Sequence, residues 1–367
     1  MRILAALALL FAAPLFAQTE AELNKLGYEL MAQKKLDEAI AVFARNVREH
    51  PRSPNAYDSL AEAYMTAGRR WSAIANYRRA LELQPNNEYV FTMLRKLGSS
   101  ISGEEWAHMF RPVIPPAVEF TPNVVYRVID DRPLRLHVLR PAAGKSPRPA
   151  LIFVHGGGWS EGTKERGIVP LLHFVKLGFV GITIDYRFTE TATFPAQIDD
   201  VRAAIRFVRS HARNYGVDPK RIAIWGQSAG GHLAALAGTM GDVNAVIDWN
   251  GPTDFAHDPA TNLDESAIFR LFGGRAGAMA NAADPVTHVS AGDPPFLILH
   301  GDRDNTVPLA DSRRLYDALK RAGVDAELKI VEGAGHFGVR NVTSEPPERE
   351  RIIVSAMETF LRRVLLK

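Results

Sequence analysis

Along the first hundred residues the apolar positions recur three and four apart, and the whole arrangement repeats at an offset of 34. Leu23, Leu26, Gly27, Leu30, Ala39, Phe43 and Pro51 are matched by Tyr57, Leu60, Ala61, Tyr64, Ala73, Tyr77 and Pro85. This spacing predicts two helix–turn–helix hairpins. Small residues at Gly27, Ala39, Ala61 and Ala73 let paired helices approach, Phe43 and Tyr77 fill the space between hairpins, and each proline stops the second helix of its unit. A capping helix is expected over 88–97, with Phe91 and Leu94 covering one end of the stack. Residues 98–123, with Gly98, Pro112, Pro115, Pro116 and Pro122, read as a linker. From Val124 onward short runs take over: VVYRVI, LRLHVLR, ALIFVH, FVGITIDY, RIAIW, AVIDW, PFLILH and AELKIV. Amphipathic stretches such as 198–211 and 310–322 separate them. Unbroken runs like ALIFV and FLIL suit strands buried on both faces, so 124–367 is expected to be an α/β domain with a mainly parallel eight-stranded sheet covered by helices.

The region 18–97 resembles the tetratricopeptide repeat twice over, with a cap. That resemblance implies a groove for a peptide or protein. Two repeats fall short of the three or more that such stacks need, so this small all-α domain is expected to lean on the second domain, a second copy of the chain, or a peptide at Tyr28, Met31 and Met65.

Composition narrows the setting. Net charge is only +3, without a Lys/Arg-rich run, which removes nucleic acid as a partner. Residues 1–17, MRILAALALLFAAPLFA, have the basic tip, apolar run and small final residue of a secretory signal peptide cleaved after Ala17. The apolar run, broken at Pro14, is too short to span a bilayer, so an exported protein, periplasmic or secreted, without a stable membrane span is expected. The absence of cysteine rules out disulfides and thiolate metal sites.

The chemistry concentrates around RIAIWGQSAGGHLAAL. A β-run meets a helix-like run at Ser228, and Gly226, Ser228 and Gly230 fit G-x-S-x-G: a serine on a strained turn, its hydroxyl exposed, with no room for a side chain two residues before or after. A serine needs a base, and the base needs an acid. In a sheet of this kind the chain order is Ser, Asp or Glu, His. Five histidines follow Ser228: His232, His257, His288, His300 and His336. Asp302 and Asp304 stand where PFLILH opens into GDRDNTVP, and only His336, in the loop EGAGHFG, lies beyond them. Spacing leaves Asp302 and Asp304 both open. HGGGW (155–159), directly after ALIFV, offers the N–H groups of Gly157 and Gly158, with that of Ala229, to an oxyanion. A phosphate loop is the rival, but Thr163 stands where the lysine is required, one place ahead of Lys164; a plain tight turn is the other alternative, though three glycines are more than a turn needs.

Taken in order, HGGGW, IDYR (184–187), GQSAGG, DWNGPTDF (248–255), HGDRDNTVP and GAGH resemble the α/β-hydrolase esterases and lipases near hormone-sensitive lipase, above all the acetyl and feruloyl esterases that deacylate plant polysaccharides. The resemblance implies a serine esterase without metal or organic cofactor, acting on small or polysaccharide-linked esters. It assigns Ser228 as nucleophile, Asp304 as acid, His336 as base, and Gly157, Gly158 and Ala229 as oxyanion donors, and it leaves Asp302 a structural role. The repeats occupy the place where lipase-like relatives carry a helical lid. Three rivals are weighed: a serine peptidase of prolyl-oligopeptidase type, a repeat-based scaffold with an inert hydrolase domain, and a long-chain lipase, for which 251–294 would be a small lid.

Overall fold

The computed structural model describes residues 18–85, 87–99, 114–144, 147–255, 266–336 and 348–366. The expected signal peptide over 1–17 lies outside them, as do most of the expected linker and His257. The chain divides into two compact units, Met1–Ser99 and Ser100–Lys367.

The first unit holds α1 (Glu20–Ala32), α2 (Leu36–Glu49), α3 (Pro54–Thr66), α4 (Arg70–Leu83) and α5 (Glu88–Lys96). Thr19 and Glu22 form a capping box at the start of α1, and Ser53 caps α3, with Pro54 as its first helical residue. Pro51 and Pro85 each follow two residues after the end of α2 and α4. Gly27 lies against the Phe43 ring, where a Cβ would come within 2.4 Å of it. Ala39, Phe43, Ala61, Ala73 and Tyr77 are fully buried, and Val90, Phe91, Met93 and Leu94 of α5 are buried as well.

The second unit is built on an eight-stranded sheet. Its strands are β1 (Val118–Ile129), β2 (Arg132–Pro141), β3 (Arg148–Val154), β4 (Val180–Ile184), β5 (Val217–Gln227), β6 (Ala245–Trp249), β7 (Phe296–Gly301) and β8 (Ala326–Val331). Their spatial order is β1-β2-β4-β3-β5-β6-β7-β8. β2 pairs antiparallel with β1 and with β4, and every other pairing is parallel. The β1–β2 hairpin turns on Asp130 and Asp131, both at positive φ, as a two-residue turn matched to strand twist requires. One face of the sheet packs on α7 (Ala196–Ser210), α9 (Ala229–Thr239) and α12 (Leu309–Arg321) through Ile205, Leu233, Leu236, Leu315 and Leu319. The other packs on α6 (Ile168–Lys176) and α13 (Glu348–Leu365), which meet where His173 contacts Glu358. Short helices α8 (Ala212–Tyr215), α10 (Ala267–Phe272) and α11 (Met279–Ala283) also belong to the described part of the unit.

One boundary differs from expectation. β1 starts at Val118, so the last six residues assigned to the linker are strand. Pro122 hid them. It sits on an edge strand at an irregularity between Thr121 and Val124, where its missing N–H interrupts no central ladder.

Candidate active site

Ser228 stands between β5 and α9 with φ 54° and ψ −124°. That conformation, costly for a residue with a side chain, survives because the surroundings over-determine it. The Ser228 N–H donates to the Trp249 carbonyl (2.8 Å) and to Asn250 Oδ1 (3.1 Å), which ties the turn to the end of β6. A Cβ on Gly226 would fall 1.9 Å from the Gly230 carbonyl oxygen, and one on Gly230 would fall 2.1 Å from that of Val154. Strand, turn and helix are therefore in backbone contact.

The HGGGW loop leaves β3 beside this turn. A Cβ on Gly156 would stand 3.1 Å from that of Ser228, while Gly157 and Gly158 take φ of 119° and 53°. The Tyr186 hydroxyl donates to the His155 carbonyl (3.0 Å), and the two rings stack. Ala229 is the first residue of α9, where helix N–H groups have no intrahelical partner. The lysine that follows the loop serves packing: Lys164 is buried against Asp185 (3.0 Å) and Glu165 (2.8 Å), and Glu165 also meets His137 (3.0 Å).

The structure brings Asp304 and His336 together. The His336 Nδ1–H donates to Asp304 Oδ2 at 2.7 Å. Oδ1 accepts the N–H groups of Thr306 (2.8 Å) and Val307 (2.9 Å). A second histidine, His300 at the end of β7, points Nε2 at the Val307 carbonyl (3.0 Å) and at the same Oδ2 (3.3 Å), with Nδ1 2.7 Å from Ser312 Oγ. Burial alone would raise the Asp304 pKa. The bonds from His300, His336, Val307 and Thr306 overcome it and hold the carboxyl well below the usual range. Burial disfavours charge on His300 too, but Asp304 and the Val307 carbonyl raise its pKa above the ordinary value. Asp302 points elsewhere: it accepts the Gly333 N–H at 2.6 Å and pins the turn that leads to His336.

Of the other histidines after Ser228, His232 is buried, its Nδ1 accepting from Trp159 and its Nε2 facing the Ala283 carbonyl; His288 faces the Ala282 carbonyl. Sequence reasoning missed Asn250, His300 and the Trp159–His232 contact. A histidine ending an apolar run reads as core, and the partners of the other two lie 22 and 73 residues away. Among the described residues there is no cluster able to hold a metal and no helix long and apolar enough to cross a membrane.

A serine on a strand-to-helix turn of a mainly parallel sheet, with an acid–histidine pair after the later strands, defines an α/β hydrolase. Residues 136–319 match the BD-FAE family, and the chain belongs to it; residues 30–97 match the tetratricopeptide repeat. The chain is 35% identical over 213 residues to the probable carboxylic ester hydrolase LipM of Mycobacterium tuberculosis, covering 51% of this chain and 49% of LipM. It is 36% identical over 235 residues to esterase LipQ of the same organism, covering 58% and 55%. It thus spans about half the length of the curated relatives it matches. Among solved structures it is similar to a truncated carbohydrate esterase from gut microbiota, at 31% identity and TM-score 0.59 over 68% of this chain and 97% of that one. It is equally similar to the propionate-bound esterase Est2 of Thermogutta terrifontis, at 31% and 0.59 over 68% and 95%.

Proposed function

We propose that this chain is an exported serine esterase. Ser228 Oγ attacks the ester carbonyl while His336 takes its proton, and the oxyanion is met by the N–H groups of Gly157, Gly158 and Ala229. His336 returns the proton to the leaving alkoxide, then activates the water that releases the acyl group. Asp304 orients the ring and stabilises its charge. No metal or organic cofactor takes part. The observation that carries this reading is the Ser228 backbone, held at φ 54° by the Trp249 carbonyl and Asn250.

The substrates proposed are small or polysaccharide-linked esters, with acetyl and feruloyl groups of plant polysaccharides foremost. Support comes from the solved relatives: one is a carbohydrate esterase, and the Thermogutta terrifontis enzyme has been captured with propionate and with butyrate. The repeats are proposed to bind a protein or peptide, or a second copy of the chain.

The test is a panel of p-nitrophenyl esters from acetate to palmitate, with acetylated xylan and methyl ferulate alongside. Turnover should favour the short esters, one of the polysaccharide-type substrates should be cleaved, and Ser228→Ala should lower kcat about 10⁶-fold. Preference for palmitate would indicate a lipase. Cleavage of a peptide p-nitroanilide without ester turnover would indicate a peptidase, and no turnover of any kind an inert scaffold.

A further inference from the structure

Trp159 closes the HGGGW loop in a conformation that needs explanation. Its φ is 55°, a left-handed backbone that a bulky L residue keeps only where its surroundings force it. The indole is 2% exposed and packs between the His232 ring, nearly perpendicular at 5.4 Å, and Phe255. The carbonyl accepts the Thr189 N–H at 3.0 Å, and the indole Nε1–H donates to His232 Nδ1 at 3.2 Å.

His232 in turn belongs to the nucleophile's own helix. Its N–H donates to the Ser228 carbonyl at 3.0 Å, so its ring is carried one helical turn from the serine. On the far side, Nε2 lies 2.8 Å from the Ala283 carbonyl. An indole N–H can only donate and a carbonyl can only accept, so together they select the neutral ring with its proton on Nε2. Full burial pushes the His232 pKa down to about 4, which keeps the ring in that form at neutral pH.

We propose that the Trp159–His232 hydrogen bond is a latch that fixes the oxyanion loop to the nucleophile helix, which makes His232 a positioning residue. The loop is then held at both ends of a two-residue span. Gly156 lies against Ser228, Trp159 is bonded to His232, and the two N–H groups assigned to the oxyanion, those of Gly157 and Gly158, sit between these anchors. Without the bond, Trp159 keeps its packing and the Thr189 bond but loses its hydrogen-bonded tie to the nucleophile helix, and the glycine N–H groups shift with its backbone. The inference rests on the esterase reading, because it assigns the latch a role in oxyanion stabilisation.

The test uses the full chain and p-nitrophenyl acetate, with diethyl p-nitrophenyl phosphate as a covalent probe of Ser228 read by mass spectrometry. Trp159→Phe keeps an aromatic ring and removes the donor together with part of the ring volume, so the double variant with His232→Leu separates the bond from the packing. His232→Asn retains an acceptor near the Nδ1 position, whereas His232→Leu retains none. Trp159→Phe should remain folded by circular dichroism, with kcat lowered about 10-fold to 100-fold and KM within about twofold, the pattern of misplaced transition-state donors. His232→Asn should retain more activity than His232→Leu, and the double variant Trp159→Phe/His232→Leu should be no worse than the poorer single one. A folded Trp159→Phe enzyme with wild-type kcat overturns the latch, and so does a double variant whose losses multiply. Failure of the esterase reading is distinct: the wild-type chain would then not turn over the ester, whether or not Ser228 takes up the phosphoryl group.

Discussion

A glycine in each unit shows how differently the two are built. Gly27 of the repeat unit faces the Phe43 ring, a side chain that can shift; Gly230 of the catalytic unit faces the Val154 carbonyl, which cannot move without the sheet. The interiors differ in the same sense. Asn46 and Ser59 are the buried polar side chains of the described repeat unit, whereas the catalytic unit buries His137, Lys164, Glu165, Asp200, His232, Asp248 and His300 among others. Groups of that kind cost stability unless each finds a partner, and in return they hold neighbouring atoms at fixed positions. The repeat unit rests on shape, and the catalytic unit rests on polar bonds in fixed places. Damage to the first should therefore register as stability or assembly alone, and damage to the second as chemistry, as stability, or as both.

The comparison is tested hardest at the two aspartates of the β7 loop. Asp304→Asn should lower kcat about 10⁴-fold, because the amide cannot hold His336 in the working tautomer. Asp302→Ala should leave kcat within about tenfold and cost roughly 1 kcal/mol through the lost Gly333 bond. Steady-state kinetics on p-nitrophenyl acetate and thermal unfolding of both variants decide it, and the reverse order of severity would reassign the acid.

Asp248 gives the next largest effect. Its carboxyl is fully buried at the end of β6, Oδ1 accepts the Gly251 N–H at 3.0 Å, and burial pushes its pKa up to about 7. The folded chain therefore favours the neutral acid, while the unfolded chain ionises near the ordinary value of about 3.9. The resulting stabilisation is full below about pH 4 and is lost as pH rises through about 7, a difference of at most about 4 kcal/mol. Asp248→Asn should flatten the fall in unfolding midpoint between pH 5 and 8; an unchanged slope would mean that Asp248 is already ionised in the fold.

Smaller effects belong to the repeats. Gly27→Val should destabilise the first unit by about 1–3 kcal/mol through the clash with Phe43, with kcat on the small ester unchanged. A chain starting at Ser100 should keep kcat/KM on p-nitrophenyl acetate within about twofold, since the second unit is compact by itself. If its activity is lost instead, the repeats help to build the site and the comparison fails.

Much of this was legible in the sequence because local spacing encodes it. The 34-residue offset carried the hairpins, and the eight apolar runs became the eight strands in the same chain order. Chain order alone pointed to His336, which the structure places against Asp304. What spacing could not supply was any choice that depends on atoms rather than positions. Asp302 and Asp304 are two residues apart and chemically alike; only the direction of each carboxyl, one to Gly333 and the other to His336, separates them. Asn250, which holds the Ser228 N–H, sat in plain view in DWNGP with nothing to mark its target. β1 was cut short because a proline in an edge strand looks, in one dimension, like a proline in a linker.

The contact between Gly226 and Gly230 has a consequence for descent. A methyl group on either glycine strikes main chain, so no change of a neighbouring side chain can make room for it. Most packing clashes can be escaped in two steps, with one substitution excused by another nearby. Here the second step does not exist. A lineage that keeps this turn can drift along the outer faces of the helices, but at these two positions it has no path through viable intermediates. Among the described glycines, these two thus meet main chain at the shortest distances.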